Sequence, residues 1–280
     1  MRQQTFGRNE KLRLTPMPHT NCRDPAAIER PKNGTGSKPT PATRSSLVGC
    51  AGWSPISGAV GPVQMQGSQL ERYASVFDAV EINSSFYRPH RRTTYARWAD
   101  SVPEHFRFSV KLPRTVTHAL RLANADALMA QFEDEIGGLE EKLGCLLVQL
   151  PPSLQLDLAV ADAFFKKLRA RCSRMLACEA RHPSWFEPDA TALLKAHAVT
   201  RVIADPPKGQ SGTYEPTTSS MYLRLHGSPR MYYSSYSDEY LAQLADTLQQ
   251  ASAWTIFDNT ASGAALGNAL TLLGQFRSLA

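Results

Sequence analysis

Cysteine is scarce in this sequence, with five in 280 residues and no CxxC pair. That excludes a disulfide-stapled scaffold and a zinc ribbon. Four of the five, Cys50, Cys145, Cys172 and Cys178, lie in or beside apolar runs and read as reduced, packed thiols. No apolar stretch is long enough to span a bilayer, and none near the start has the roughly 7 to 15 apolar residues of a secretory signal. The expectation is a cytoplasmic protein with no membrane partner. Most of the chain also lacks a charge excess. Residues 1–44 hold nine Lys and Arg against three Asp and Glu, which accounts for the whole formal charge of +6 and leaves 22 groups of each sign in the rest. A neutral body gives no broad footprint for nucleic acid, and the basic tail, which could touch polyanions, says little about the body's task.

Sustained hydrophobic periodicity is missing from that first segment too, which has six prolines and ends in PKNGTGSKPTPATR. Such a segment cannot bury enough apolar surface to offset its ordering entropy. It reads as a disordered tail over 1–44, or an over-long start, ahead of a single domain over 45–280.

What the rest contains is regular. Eight short apolar runs follow one another: 46–53, 78–83, 106–112, 145–150, 174–180, 199–205, 221–227 and 254–259. Helical patterns fall between most of them, at 68–77, 93–100, 125–143, 158–171, 188–197, 237–251 and 262–279, and only the connection after the sixth run lacks one. Strands buried on both faces and alternating with helices predict a parallel α/β sheet, and eight such units predict a TIM-type (β/α)8 barrel. A doubly wound sheet is the alternative.

In a barrel the site forms at the carboxyl ends of the strands, and polar residues gather there. Glu81 and Asn83 end the second run, Lys111 the third, Gln149 the fourth, Glu179 and Arg181 the fifth and Asp205 the sixth. Arg224 and His226 end the seventh, and Asn259 the eighth. Strand side chains alternate with period two, so Glu81 with Asn83, Glu179 with Arg181 and Arg224 with His226 each share a face. A buried ion-pair network could fill the same layer, but such pairs are seldom better than apolar packing for stability, and a ligand site explains them more simply.

Several of these segments look familiar. GCAGWS, AVEINSSFYRPH, FRFSVKLP with TH, LGCLLVQLPPS, ACEARHPSWF, IADPP, YLRLHG and FDNTASGAALGNA, in order over 47–280, resemble the YecE-like family, domain of unknown function 72. The resemblance implies a TIM-type barrel related in shape to the xylose-isomerase and endonuclease IV group, and it brings no established reaction. The chain departs from the family pattern after Trp53, where SPISGAVGPVQMQG stands, and at Asp258, which precedes Asn259 where many relatives have two asparagines.

Three chemistries fit the constellation. In the first, an enzyme binds a small anionic substrate, phosphorylated or carboxylated, through Lys111, Arg181 and Arg224. Glu81 and Glu179 are then acid and base, with Asn83, Gln149 and Asn259 orienting hydroxyls for isomerisation or hydrolysis. Lys111 could alternatively form a Schiff base, although a lysine among acids more often stays protonated. In the second, a metal-dependent hydrolase, Glu179, Asp205 and His226 with Glu81 opposite would suit zinc, manganese or magnesium. Lys111 and Arg224 put positive charge where that cation would sit, so no metal ligand is assigned and the cofactor is left unknown. In the third, a nucleic-acid protein, Tyr87, Arg88, Arg91 and Arg92 with RMYYSSY at 230–236 would contact single strands. The catalytic candidates are therefore Glu81, Lys111, Glu179, Asp205 and His226. Trp53, Tyr87, His182 and Thr260 join the binding candidates from the loops. An anion subsite is expected between the loops after the seventh and eighth runs, at the start of the last helix and facing Arg224.

Overall fold

The computed structural model describes residues 46–53, 66–249 and 251–279. The tail over 1–44 and most of the loop after Trp53 lie outside the described residues. In chain order the strands are β1 (Leu47–Cys50), β2 (Ala79–Ile82), β3 (Arg107–Lys111), β4 (Leu143–Gln149), β5 (Met175–Glu179), β6 (Val199–Arg201), β7 (Ile203–Asp205), β8 (Met221–Leu225) and β9 (Ala253–Phe257). The helices are α1 (Gln69–Ala74), α2 (Ser84–Tyr87), α3 (Arg92–Asp100), α4 (Asp126–Ile136), α5 (Leu158–Arg171), α6 (Pro188–Ala196), α7 (Asp238–Leu248) and α8 (Ala264–Leu279). Ser68 starts α1 with a reciprocal capping box to Glu71, and the Asp157 and Ser237 side chains cap α5 and α7. A π-helical turn at Thr115–Ala119 and a 3-10 turn at Pro183–Phe186 were not visible as periodic patterns. No described helix is long and apolar enough to cross a membrane.

The fold is mixed α/β with two parallel sheets, ordered β1-β9-β8-β7 and β2-β3-β4-β5-β6. The sixth apolar run supplies a strand to each sheet, because the pairing changes at Val202. On its first half, Thr217 Oγ1 donates to Val199 O at 2.6 Å and accepts from Arg201 N at 2.8 Å, while Tyr214 donates to Arg201 O at 2.8 Å. The helix-free segment after β7 thus satisfies the free edge of β6 with side chains. β7 then pairs with β8.

The edges of β1 and β2 share one isolated bridge, Ala51 to Glu81. Below it a side chain replaces the ladder. Tyr73 of α1 accepts from Cys50 N at 2.7 Å and donates to Ala79 O at 2.9 Å. Gly49 is required beside this junction, since a Cβ there would stand 2.1 Å from Ala79 O.

The outward faces of the strands pack on the helices through Phe77, Phe106, Phe108, Phe165, Leu223, Leu225 and Phe257, among others, all buried. The inward faces form a second cluster, with Ala79, Cys145, Leu147, Ala177, Val202, Tyr222, Trp254 and Ile256. Tyr222 stacks on Trp254 with centroids 5.9 Å apart, and Gly144 leaves room for that indole, because a Cβ there would lie 2.6 Å from it. Continuing each inward face by two residues toward the carboxyl end changes its chemistry. Ala79 leads to Glu81, Ser109 to Lys111, Leu147 to Gln149, Ala177 to Glu179, Tyr222 to Arg224 and Ile256 to Asp258.

Candidate functional site

Arg224 is the hub of that upper layer and is completely buried. Its Nε and Nη2 donate to the two oxygens of Glu81 at 3.0 and 2.7 Å, a bidentate pairing. Nη1 donates to Glu179 Oε2, and Nη2 also reaches Asp258 Oδ2 at 2.9 Å. Tyr222, one inward step earlier on β8, donates to Glu81 Oε2 at 2.8 Å and bonds Ser109 Oγ at 2.7 Å. A strand of one sheet therefore grips three strands of the other, β2, β3 and β5.

The remaining charges are arranged around this hub. Arg181 approaches Glu179 Oε1 with Nε at 2.8 Å and Nη2 at 2.6 Å. His226 Nδ1 lies 3.0 Å from Asp258 Oδ2, and Nε2 is 3.3 Å from Glu179 Oε1, within ion-pair range but not aligned as a hydrogen bond. Burial would push His226 down, yet its hydrogen bond to Asp258 and the neighbouring Glu179 carboxylate win and hold it above the usual histidine value. Burial likewise disfavours ionised Glu179, but Arg224, His226 and Arg181 hold it well below the ordinary glutamate value. Asp258 is lowered in the same way, by Arg224, His226 and Lys111 against its own burial.

Lys111 differs from the other cations. Its Nζ lies 4.2 Å over the Phe86 ring, and among the described residues it has no hydrogen bond or ion pair. Ser85 donates to the Lys111 carbonyl at 2.7 Å, which fixes α2 and its Phe86 against the end of β3. Burial and then the nearby Arg224 lower the amine to about 8, despite Glu81, Asp258 and Glu179. Gln149 is 7% exposed and its amide also lacks a partner among the described residues. Asp258 uses only Oδ2 in the hydrogen bonds among these residues.

The layer brings together Glu81, Lys111, Gln149, Glu179, Arg181, Arg224 and His226. Asp205 does not join it. β7 pairs Ala204 with Arg224 and Asp205 with Leu225, so Asp205 shares the outward phase, and its carboxylate accepts from Tyr240 of α7 at 3.1 Å. Asn259 is out of phase for the same reason, one residue beyond the inward Asp258. Its amide donates to Ser234 O and Asn268 Oδ1, both at 2.9 Å, and ties α8 to the loop after β8. Asn83 leaves the strand and takes the cap position at the start of α2, with Oδ1 buried and without a hydrogen-bond partner among the described residues.

The loop candidates spread out. Trp53 packs edge-on against Trp98, 5.0 Å between centroids, beside His90. Tyr87 is 78% exposed. His182 Nδ1 accepts from Ser184 N at 3.2 Å and caps the 3-10 turn, while Thr260 sits half-buried in the turn before α8. At the subsite expected between the last two loops, the arginine expected to face the anion has other partners. Arg224 is enclosed by Glu81, Glu179 and Asp258, and the donors that would have met an anion are spent on carboxylates. The metal alternative fares no better in its donor set. Among the described residues no three His, Cys, Asp or Glu side chains are grouped to hold an ion, and Asp205 faces away. Tyr222, Ser109, Phe86 and Asn268 were missed as parts of this region. The two-residue spacing from Tyr222 to Arg224 and from Ser109 to Lys111 was the signal that could have found the first two. A hollow of about 430 Å³ beside α2, lined by Phe86, Arg88, Arg114 and Glu135 among others, holds none of the charged layer.

Comparison with known proteins follows the same stretch of chain. A family described as protein of unknown function DUF72 matches residues 47–279, and the chain belongs to it. It is 29% identical over 149 residues to the UPF0759 protein YecE of Escherichia coli (strain K12), covering 51% of this chain and 54% of that protein. The chain thus spans about half the length of that curated relative. The UPF0759 protein YunF of Bacillus subtilis (strain 168) is 24% identical over 198 residues, 64% of this chain and 69% of YunF. Among solved structures, a DUF72 family protein from Thermotoga maritima MSB8 superposes with a TM-score of 0.66 at 27% identity, over 84% of this chain and 98% of its own. One from Enterococcus faecalis V583 has a TM-score of 0.70 at 22% identity, over 83% and 96%.

Proposed function

We propose that this DUF72 protein folds its two sheets into one closed TIM-type barrel, and that the charged layer is the floor of an active site for a small anionic substrate. Three features support closure. Ala51 bridges to Glu81, the run 199–205 is continuous through both sheets, and Tyr222 and Arg224 join β8 to β2, β3 and β5.

Lys111 carries the functional reading. Glu81, Glu179 and Asp258 face Arg224, Arg181 and His226, so within the cluster each carboxylate already has a basic partner. Lys111 adds a charge beyond them, which favours an anion at the mouth. A lysine close to 8 is also suited to giving and taking protons near neutral pH, with Asp258 beside it and Gln149 free to orient a hydroxyl. The role expected of Arg224 changes accordingly. It holds Glu81 in place and keeps Glu179 and Asp258 below their ordinary carboxylate values, and substrate contact falls to Lys111, Arg181 and Gln149.

A thermal-shift screen of phosphorylated and carboxylated metabolites tests this reading. A true ligand at a hundred times its dissociation constant stabilises the fold by about 2.7 kcal/mol, and Lys111→Met should abolish the response. A screen in which no anion shifts the parent at millimolar concentration, or in which Lys111→Met responds like the parent, would sink it.

A further inference from the structure

Resting on that anionic-substrate reading, we infer that Lys111 is a nucleophile that forms an imine with a small carbonyl compound bearing a phosphate or carboxylate. A nucleophilic lysine needs its lone pair, and most lysines lose it to a proton. Here the surroundings oppose that proton. The side chain is 7% exposed, no carboxylate lies within ion-pair distance of Nζ among the described residues, and the Arg224 guanidinium stands in the same layer. Desolvation and a neighbouring cation are the two devices that activate amines. They bring Lys111 to about 8, so its neutral fraction at pH 7 is on the order of a hundredfold that of a surface lysine.

The reaction balances without an added oxidant or reductant. The Nζ lone pair forms the N–C bond, the carbonyl π pair moves to oxygen, and that oxygen takes two protons and leaves as water. The ammonium and the ketone or aldehyde thus give a protonated imine and one water. The free oxygen of Asp258 can carry those protons, since its other oxygen is anchored by Arg224 and His226. The cation that results stays over the face of Phe86, which stabilises it as it does the ammonium. Arg181, whose side chain is 12% exposed against 1% for Arg224, would take the anionic group.

The test uses the full chain with pyruvate or dihydroxyacetone phosphate, trapped by borohydride and mapped by mass spectrometry. The expected result is a reduced adduct on Lys111, formed on the order of a hundredfold faster than on exposed Lys208, lost in Lys111→Met and retained in Lys208→Met. Melting curves check that Lys111→Met is folded, and Lys111→Arg provides a second variant that keeps the charge. Adducts spread over surface lysines, with inorganic phosphate still raising the melting temperature, would overturn the imine and leave the anion site standing. No adduct and no response to phosphate, pyruvate or dihydroxyacetone phosphate would overturn both.

Discussion

Arg224→Met should destabilise the protein severely, and the reason can be worked from its neighbours. The guanidinium is completely buried, and it holds both oxygens of Glu81, one of Glu179 and one of Asp258. Methionine fills similar space but leaves those carboxylates facing only Tyr222, His226 and Arg181. Removing one partner of a buried pair costs about 3–5 kcal/mol, and the loss here should reach at least that range. At about 2–4 °C per kcal/mol for a domain of this size, the melting temperature should fall by roughly 6–20 °C. Urea titration followed by tryptophan fluorescence should show a lower midpoint with an unchanged slope. The pH dependence gives a second readout. Glu179 and Asp258 have lowered values in the folded protein, so their contribution is complete above the unfolded values near about 4 and is lost as pH falls through the folded values. Without Arg224 that contribution largely disappears at neutral pH. The gap between parent and variant should therefore be wide at pH 7 and narrow toward pH 3. Adding Glu81→Gln to the variant should recover part of the loss, because Arg224 is the cation that pairs with Glu81 and a neutral amide there no longer demands it. A loss under about 1 kcal/mol at pH 7, or a gap that stays constant with pH, would refute the view that Arg224 keeps these acids ionised.

Lys111→Met should raise stability at pH 7 by up to about 3 kcal/mol, the equivalent of lowering the amine from 10.5 to about 8. The unfolded chain binds the extra proton between those values, so the parent gains stability as pH rises through that window and the variant does not. His226→Gln tests the opposite sign: a raised histidine gives stability that is complete below about 6.5 and lost as pH rises through its folded value, and the variant's melting curve should lack that decline. Tyr73→Phe strands Cys50 N–H and Ala79 C=O between the two sheets, at a cost of about 1–3 kcal/mol per group. Faster hydrogen exchange at Cys50 should accompany it, and unchanged exchange would show that another group closes the junction.

Period-two alternation makes much of this layer legible in the sequence, and it also accounts for the two residues that stand apart from it. Glu81, Lys111, Gln149, Glu179, Arg181, Arg224 and His226 all lie an even number of residues from an inward apolar or small side chain. Asp205 and Asn259 lie an odd number away and turn to α7 and α8. Both stand at a strand end, but in the wrong phase for the layer. Strand and helix order was readable because long periodic segments such as 158–171 are set locally by caps and apolar spacing. The division of the sixth run was not readable. It depends on Thr217 and Tyr214 reaching back from a helix-free connection, a contact between segments that no local pattern announces. The same holds for Arg224. Its sequence context fits an anion-binding arginine, and only the convergence of three carboxylates from β2, β5 and the end of β9 shows that its charge is already matched.

That convergence bears on why an unpaired lysine can persist in the layer. The lower part of the interior, with Leu147, Tyr222, Trp254 and Ile256, is apolar and tightly filled, and its burial stabilises the fold whatever lies above it. The upper layer exchanges that apolar packing for charges held out of water, an exchange that often breaks even at best. If structure alone governed the layer, its cations and carboxylates should pair off completely, as Arg224, Arg181 and His226 do with Glu81, Glu179 and Asp258. Lys111 breaks that economy. It is buried, it is near a guanidinium, and the hydrogen bonds that would stabilise its charge are missing among the described residues. A perturbed amine without a hydrogen bond among the described residues, set beside a network of paired charges, is the pattern of a group kept for chemistry. The network then serves to hold the amine in this state: the more firmly Arg224 engages the carboxylates, the less they can offer Lys111, and the closer its lone pair comes to being available at neutral pH.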